Sequence, residues 1–295
     1  LQHIIQATGH SGEPNLPTNI KGFDSFTGTR FEHSSKFVSA PPANGNPKKV
    51  IVVGACNSSH DIAKSFQEQG HSVTMVQRSS TYVLSVKNND AAFAPLYGEN
   101  SPPVEDSDMF LHGTPNAILK KLQVEGCEAL QKADEEILGG LKKAGFKTDK
   151  GIDGSGIWMK YLQRGGGYYL DSGCSQLIAD GKIKVKQGQE ITEVLPSGLK
   201  FADGDVIEAD EIVWATGWTT MRDSCRKIFG NEVADRVRDV WGMDEEGEIR
   251  TMWRKSGHPG FWFMAGNLAL CRWFSRPLAL QIKALEEGIC KYEDL

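Results

Sequence analysis

The sequence predicts an α/β protein in which one nucleotide-binding unit, built on a parallel sheet, interrupts a second unit. Three observations carry that expectation. The stretch from Val50 to Arg78 reads as strand, small-residue turn, helix and second strand. A strand-to-turn junction ending in Ala-Thr-Gly lies on either side of it, at 7–9 and at 215–217. Between Lys182 and Val213, short β-rich runs alternate with turn residues.

Val50-Ile51-Val52-Val53 is apolar and β-branched throughout, as expected of a central parallel strand covered on both faces. It stops at Gly54. Ala55, Cys56, Asn57, Ser58 and Ser59 are small enough to let the backbone approach a diphosphate seated on the amides of the following helix. That helix is expected through Ile62, Ala63 and Phe66, ending at Gly70, with the second strand from Val73 to Val76. The usual glycine fingerprint is reduced here to one true glycine, so the strand–helix–strand context carries the assignment. Where an NAD-selective unit places an acid on the ribose hydroxyls, this chain has Gln77, Arg78, Ser79 and Ser80. An acid there would repel a 2′-phosphate, whereas Arg78 would pair with it, so the unit is expected to take NADP. The competing assignment is a tight packing turn with Arg78 as an exposed cation. Asn57 either orients the cofactor or caps the helix.

The two Ala-Thr-Gly junctions follow apolar runs, Ile4-Ile5 and Glu211-Ile212-Val213-Trp214. Small residues at such junctions let the chain cross between units beside a bound cofactor. The divisions expected are residues 1–45, 46–212 and 213–295, with Ala40 to Lys49 as a linker. The chain opens on Leu1 inside an apolar segment, which predicts a further portion upstream.

Taken together with Gly54-x-x-Asn57-Ser58-x-x-Asp61-Ile62-Ala63, the two tripeptides resemble the flavin-containing monooxygenase family, whose members use FAD and NADPH. Phe26, Gly28, His33 and Phe37 form an approximate copy of the family fingerprint, with one residue more than usual between Gly28 and His33. Trp218 fills the aromatic place after the second tripeptide, and Gly260 to Asn267 resembles the closing strand and turn that meets the flavin. The resemblance implies two Rossmann-like dinucleotide domains, an NADP domain inserted in a partial FAD domain. It also implies cofactor contacts at Thr8, Gly9, Gly54 to Ser59, Asp61, Arg78, Ser79, Ala215, Thr216, Gly217, Trp218, Gly266 and Asn267. The helix over Leu268 to Leu285 would point its positive end at the flavin. In that family NADPH reduces FAD, and the reduced flavin uses O2 to oxygenate a small nitrogen- or sulfur-containing nucleophile or an oxo-acid. The other oxygen atom leaves as water. A non-catalytic NADP-binding fragment is the alternative, as is another NADPH-dependent flavoprotein oxidoreductase.

Between Tyr82 and Lys160 a helical excursion on the NADP unit is expected: Pro95, Pro102 and Pro103 break structure, and Leu130, Ile137, Leu138 and Leu141 recur at helical spacing. Its apolar stripe is either core or a wall of the substrate path. Asp149 to Gly156 lacks the spacing and terminal Glu of a calcium loop. Gly165-Gly166-Gly167 permits either close approach to a cofactor or a simple turn.

A net charge of −5 and the lack of a long basic run argue against nucleic-acid and electrostatic membrane binding. No apolar stretch reaches the roughly 18 residues of a spanning helix, so a cytoplasmic location is expected. Six scattered cysteines form no Cys-x-x-Cys and no metal cluster, and are expected to be reduced structural thiols. The closest pair, Cys271 and Cys290, is too far apart for a dithiol that exchanges electrons with flavin. No catalytic triad or carboxylate pair stands out, consistent with chemistry carried by cofactors.

Overall fold

A computed structural model describes residues 2–295; Leu1, the first residue of the expected 1–45 division, lies outside the described residues. Strand β1 (Ile4–Gln6) and strand β2 (Arg30–His33) precede the apolar strand β3 (Lys49–Val53). Helix α1 (Asn57–Glu68) and strand β4 (Ser72–Gln77) complete the βαβ unit. Strand β5 (Tyr82–Ser85) leads into helices α2 (Val86–Tyr97), α3 (Val104–Gly113), α4 (Asn116–Ala133), α5 (Glu135–Lys143) and α6 (Gly156–Arg164). Strand β6 (Tyr168–Asp171), helix α7 (Cys174–Ala179) and strand β7 (Ile183–Gln187) return the chain to the sheet. The meander β8 (Ile191–Leu195), β9 (Gly198–Phe201) and β10 (Val206–Glu208) leads into β11 (Glu211–Trp214). Helices α8 (Met221–Phe229) and α9 (Asn231–Ala234), strand β12 (Phe261–Phe263) and helix α10 (Leu268–Glu286) finish the fold.

The central sheet is parallel throughout, in the order β2-β11-β3-β4-β7. Alternate residues of β3 feed two cores: Val50 and Val52 pack with Ile62, Phe66 and Ile178 under the helices, and Ile51 and Val53 pack with Val194, Leu199 and Phe201 of the meander. Each such aliphatic side chain contributes roughly 1.5–3 kcal/mol when fully buried, so coverage of both faces, rather than any turn residue, fixes this strand.

Strand β2, within the expected 1–45 division, is an outer strand of the central sheet, and β11, which spans position 212, belongs there too. The first crossing lies earlier, where 12–15 runs antiparallel to 216–219. Gly12 N donates to Thr219 O, Asn15 N to Gly217 O and Thr219 N to Glu13 O, at 2.8–3.0 Å. The segments after both tripeptides therefore pair with each other.

The helical excursion is present but differs in two respects. Pro95 sits inside α2 and does not end it, and the Leu130-to-Leu141 stripe is split at Asp134 between α4 and α5. Helix α5 packs against α7 and joins the core of the nucleotide unit through Leu141. Leu111, Leu119 and Trp158 of α3, α4 and α6 join a core with Trp253, Phe261, Trp262, Phe263 and Leu270 of the C-terminal segment. The excursion thus packs against the C-terminal segment. Beside it, β1 pairs with β12 in a separate two-stranded parallel ribbon.

Candidate dinucleotide site

A cleft of about 970 Å³ opens at the carboxyl ends of β3, β4 and β11, where ligands bind in open parallel sheets. Gly54 forms its floor at φ +137°. A Cβ at Gly54 would fall 2.4 Å from the Ala215 carbonyl oxygen, so the glycine is required by the neighbouring strand end as well as by any ligand. Helix α1 starts at Asn57 with no side-chain cap, and its first intrahelical bond is that of the His60 amide to Cys56 O. The amides of Asn57, Ser58 and Ser59 precede that bond, and these residues line the cleft. They form an uncapped positive helix end, chemically suited to a diphosphate.

Asn57 does not cap α1: its Oδ1 accepts from Leu170 N at 2.9 Å, fastening the helix to β6. Burial pushes the Cys56 thiol up, against backbone groups of Gly167 and Tyr168 and the Lys160 ammonium, which favour the thiolate. Arg78, Ser79 and Ser80 line the cleft beyond β4, and Arg78 is exposed with no carboxylate within 4.0 Å among the described residues. Ala215, Thr216, Gly217 and Trp218 line it from β11. Thr216 Oγ1 donates to Asn15 O at 2.6 Å, and the half-exposed Trp218 ring meets His33 edge-on at 5.3 Å. His33 itself is buried at the end of β2, its Nε2 2.8 Å from Gly217 O, so it packs at the crossing.

Other expected residues stand outside the cleft. Asp61 is exposed on α1 and absent from the cleft wall. Thr8, Gly9, Gly266 and Asn267 are also absent from it, but the register Gln6↔Phe263 puts their two turns side by side at the carboxyl end of the β1–β12 ribbon. Nothing lies within 4 Å of a Cβ built on Gly9, whereas one on Gly266 would meet Leu270 and Tyr161. Asn267 Oδ1 caps α10 by accepting from Leu270 N at 3.0 Å, and Leu268 in its first turn is 86% exposed.

The far wall of the cleft joins the glycine run, for which the sequence left close approach to a cofactor or a simple turn open, to Trp241, Arg164 and Glu190, which it did not single out. Gly165 to Gly167 line it, and Gly165 ends α6 in the left-handed conformation. Trp241, whose Nε1 donates to His10 O at 3.1 Å, fills the space above Gly165. Glu190 also reaches the cleft, from the loop after β7. Trp241 comes from an irregular segment with no periodicity to announce it. Behind this wall Lys160, 6% exposed, donates to Asp149 Oδ2 at 2.6 Å and Gly167 O at 2.9 Å. The segment 149–156 is thus held by an ion pair, and no group of three or more potential metal ligands occurs among the described residues.

Residues 2–101 match the family model described as pyridine nucleotide-disulphide oxidoreductase. All six cysteines are free. The chain is 29% identical over 229 residues to indole-3-pyruvate monooxygenase YUCCA1 of Oryza sativa subsp. japonica, covering 77% of this chain and 50% of that protein. It is 30% identical over 220 residues to probable indole-3-pyruvate monooxygenase YUCCA4 of Arabidopsis thaliana, covering 73% and 46%. N-oxide-forming dimethylaniline monooxygenase 2 of Rattus norvegicus is 25% identical over 237 residues, with 78% and 39% covered. The chain spans about half the length, or less, of these relatives. Among solved structures, closed cyclohexanone monooxygenase superposes with a TM-score of 0.57 at 14% identity, covering 97% of this chain and 60% of that one. A complex of OTEMO with FAD and NADP gives 0.55 at 16%, covering 97% and 62%. These likenesses are of fold. No helix among the described residues is long and apolar enough to cross a membrane.

Proposed function

We propose that the chain is of the flavin-containing monooxygenase family, that the cleft binds NADPH and that the chain works in an NADPH- and O2-dependent flavin monooxygenase, a reading supported by its similarity to monooxygenases of that kind. The observation that carries this reading is the uncapped start of α1 opening onto the cleft, with the exposed Arg78, which has no carboxylate partner among the described residues, beyond β4. The helix amides would hold the diphosphate, and Arg78 with Ser79 would take the 2′-phosphate. Ala215 to Trp218 would hold the nicotinamide end beside the paired crossing segments. The turns at Thr8-Gly9 and Gly266-Asn267, with the start of α10, would form part of the wall for FAD, giving two dinucleotide units. When bound, reduced FAD supplies the activation of O2; the protein's part is to position both cofactors and limit water at the site. The substrate class is a small nucleophilic nitrogen or sulfur compound or an oxo-acid, in keeping with the names of the similar proteins.

Titration of the purified chain with NADP+ and NAD+ tests the reading. Arg78→Ala is expected to weaken NADP+ binding by roughly 10- to 100-fold, the size of one charge-assisted phosphate contact, with little change for NAD+. Equal loss for both would remove Arg78 from the phosphate site. A yellow protein that bleaches on adding NADPH would support flavin binding by this chain.

A further inference from the structure

Three arginines line the cleft: Arg78, Arg164 and Arg250. Arg250 is committed to the protein, its Nε donating to Asp239 O at 3.1 Å and its guanidinium also to Trp241 O. Arg164, the last residue of α6, is exposed and has no carboxylate within 4.0 Å among the described residues. It is nonetheless held at the ligand end of the sheet. Gly165, next in the chain, is boxed in by Trp241 and His10, 2.9 and 3.1 Å from where its Cβ would stand. Two residues further, Gly167 O accepts from the buried Lys160, and the backbone of Gly167 and Tyr168 lies beside the sulfur of Cys56, the residue preceding α1. Arg164 is therefore no more than about 11 Å of extended chain from backbone that touches the start of that helix.

We propose that Arg164 is a second anion-recognising arginine of the cleft, reading the diphosphate that NADP and NAD share, while Arg78 reads the 2′-phosphate. The proposal rests on the assignment of the cleft to a nicotinamide dinucleotide. Three helix amides offer only partial positive charge to a diphosphate, and a guanidinium adds a full charge with a planar fork of donors. The arrangement divides the work: one arginine sets affinity for any dinucleotide, and the other sets the choice between them. A purely structural role for Arg164, as a cation complementing the carboxyl end of α6, would change stability and leave affinity alone.

The test is calorimetric titration of wild type, Arg164→Gln and Arg164→Lys with NADP+ and NAD+, alongside thermal melts without ligand. Arg164→Gln is expected to raise both dissociation constants by a common factor of roughly 10- to 100-fold, leaving their ratio and the melting temperature nearly unchanged. Arg164→Lys should recover part of the loss. Unchanged affinity, a loss confined to NADP+, or a loss that follows a lowered melting temperature and is not recovered by lysine would each overturn the proposal. If wild type binds NADP+ and Arg164→Gln binds it equally well, only the Arg164 assignment falls. If wild type binds neither dinucleotide, the assignment of the cleft falls with it.

Discussion

Gly54→Ala probes the cleft floor without removing any polar group. Gly54 has φ +137°, a conformation that costs a residue with a Cβ about 1–3 kcal/mol. The new methyl group would sit 2.4 Å from Ala215 O, 3.1 Å from Ala215 C and 3.3 Å from Ala215 Cβ. Two of these atoms are backbone at the end of a hydrogen-bonded strand, with Ala215 N donating to Val53 O at 2.8 Å, so they cannot rotate away. Forcing them apart adds about 1–3 kcal/mol, and the reduced freedom of the unfolded chain returns only about 0.4–1 kcal/mol. The net loss is about 1–5 kcal/mol, near 3 at the middle of the range. In urea unfolding followed by circular dichroism, that loss lowers the midpoint by about 1 M at a slope near 3 kcal/mol/M. Gly9→Ala is the control: φ is +108° but nothing lies within 4 Å, so only the conformational cost remains. A Gly54→Ala midpoint equal to wild type, or a larger effect from Gly9→Ala, would refute the steric reasoning.

Two further predictions concern the groups behind the cleft. Lys160→Met should destabilise by about 3 kcal/mol, because it leaves Asp149 without its buried partner, and the loss is read from the same urea titration. Burial alone would raise the Asp149 carboxyl, but the Lys160 ammonium and the Gly151 amide outweigh it and hold it below the ordinary range. Its contribution is therefore present above its unfolded pKa and lost as pH falls through the folded value. His60 is pushed down to about 4, chiefly by burial, against the Cys56 carbonyl and Asp171, which favour its cation. The unfolded chain binds that proton near pH 6.5, so stability is full above that pH and falls by at most about 3 kcal/mol as pH drops toward 4. His60→Phe keeps a ring over Tyr169, 3.6 Å from the present imidazole, and should flatten that acid limb. An unchanged slope between pH 6.5 and 4 would exclude His60 as its source.

The βαβ unit was legible because its signals are local. Val50 to Val53 is apolar at every position since both faces are covered, and Gly54 and Gly70 mark the ends of a strand and a helix. The tripeptides correctly marked strand ends, and the meander followed its alternation and its Asp203-Gly204 turn. Strand β2 escaped because its residues are mostly half-buried on an outer strand whose one neighbour, β11, lies about 180 residues away. Pro95 misled because the third turn of a short exposed helix tolerates a missing amide that an interior helix does not. Of the cleft, the turn, both flanks and the glycine run at 165–167 could be singled out from sequence, but Trp241 and Arg164 could not. Those residues are joined only through tertiary contacts such as Trp241 to His10, which carry no spacing signal.

On the proposed reading the start of α1 receives the diphosphate of NADP. Nitrogen–proton correlation spectra of the isotopically labelled chain, recorded as NADP+ is added, test it most directly. Saturable shifts are expected at the Asn57, Ser58 and Ser59 amides together with the Arg78 side-chain Nε–H. Saturation of binding with those four signals unmoved, and shifts gathered elsewhere, would contradict it.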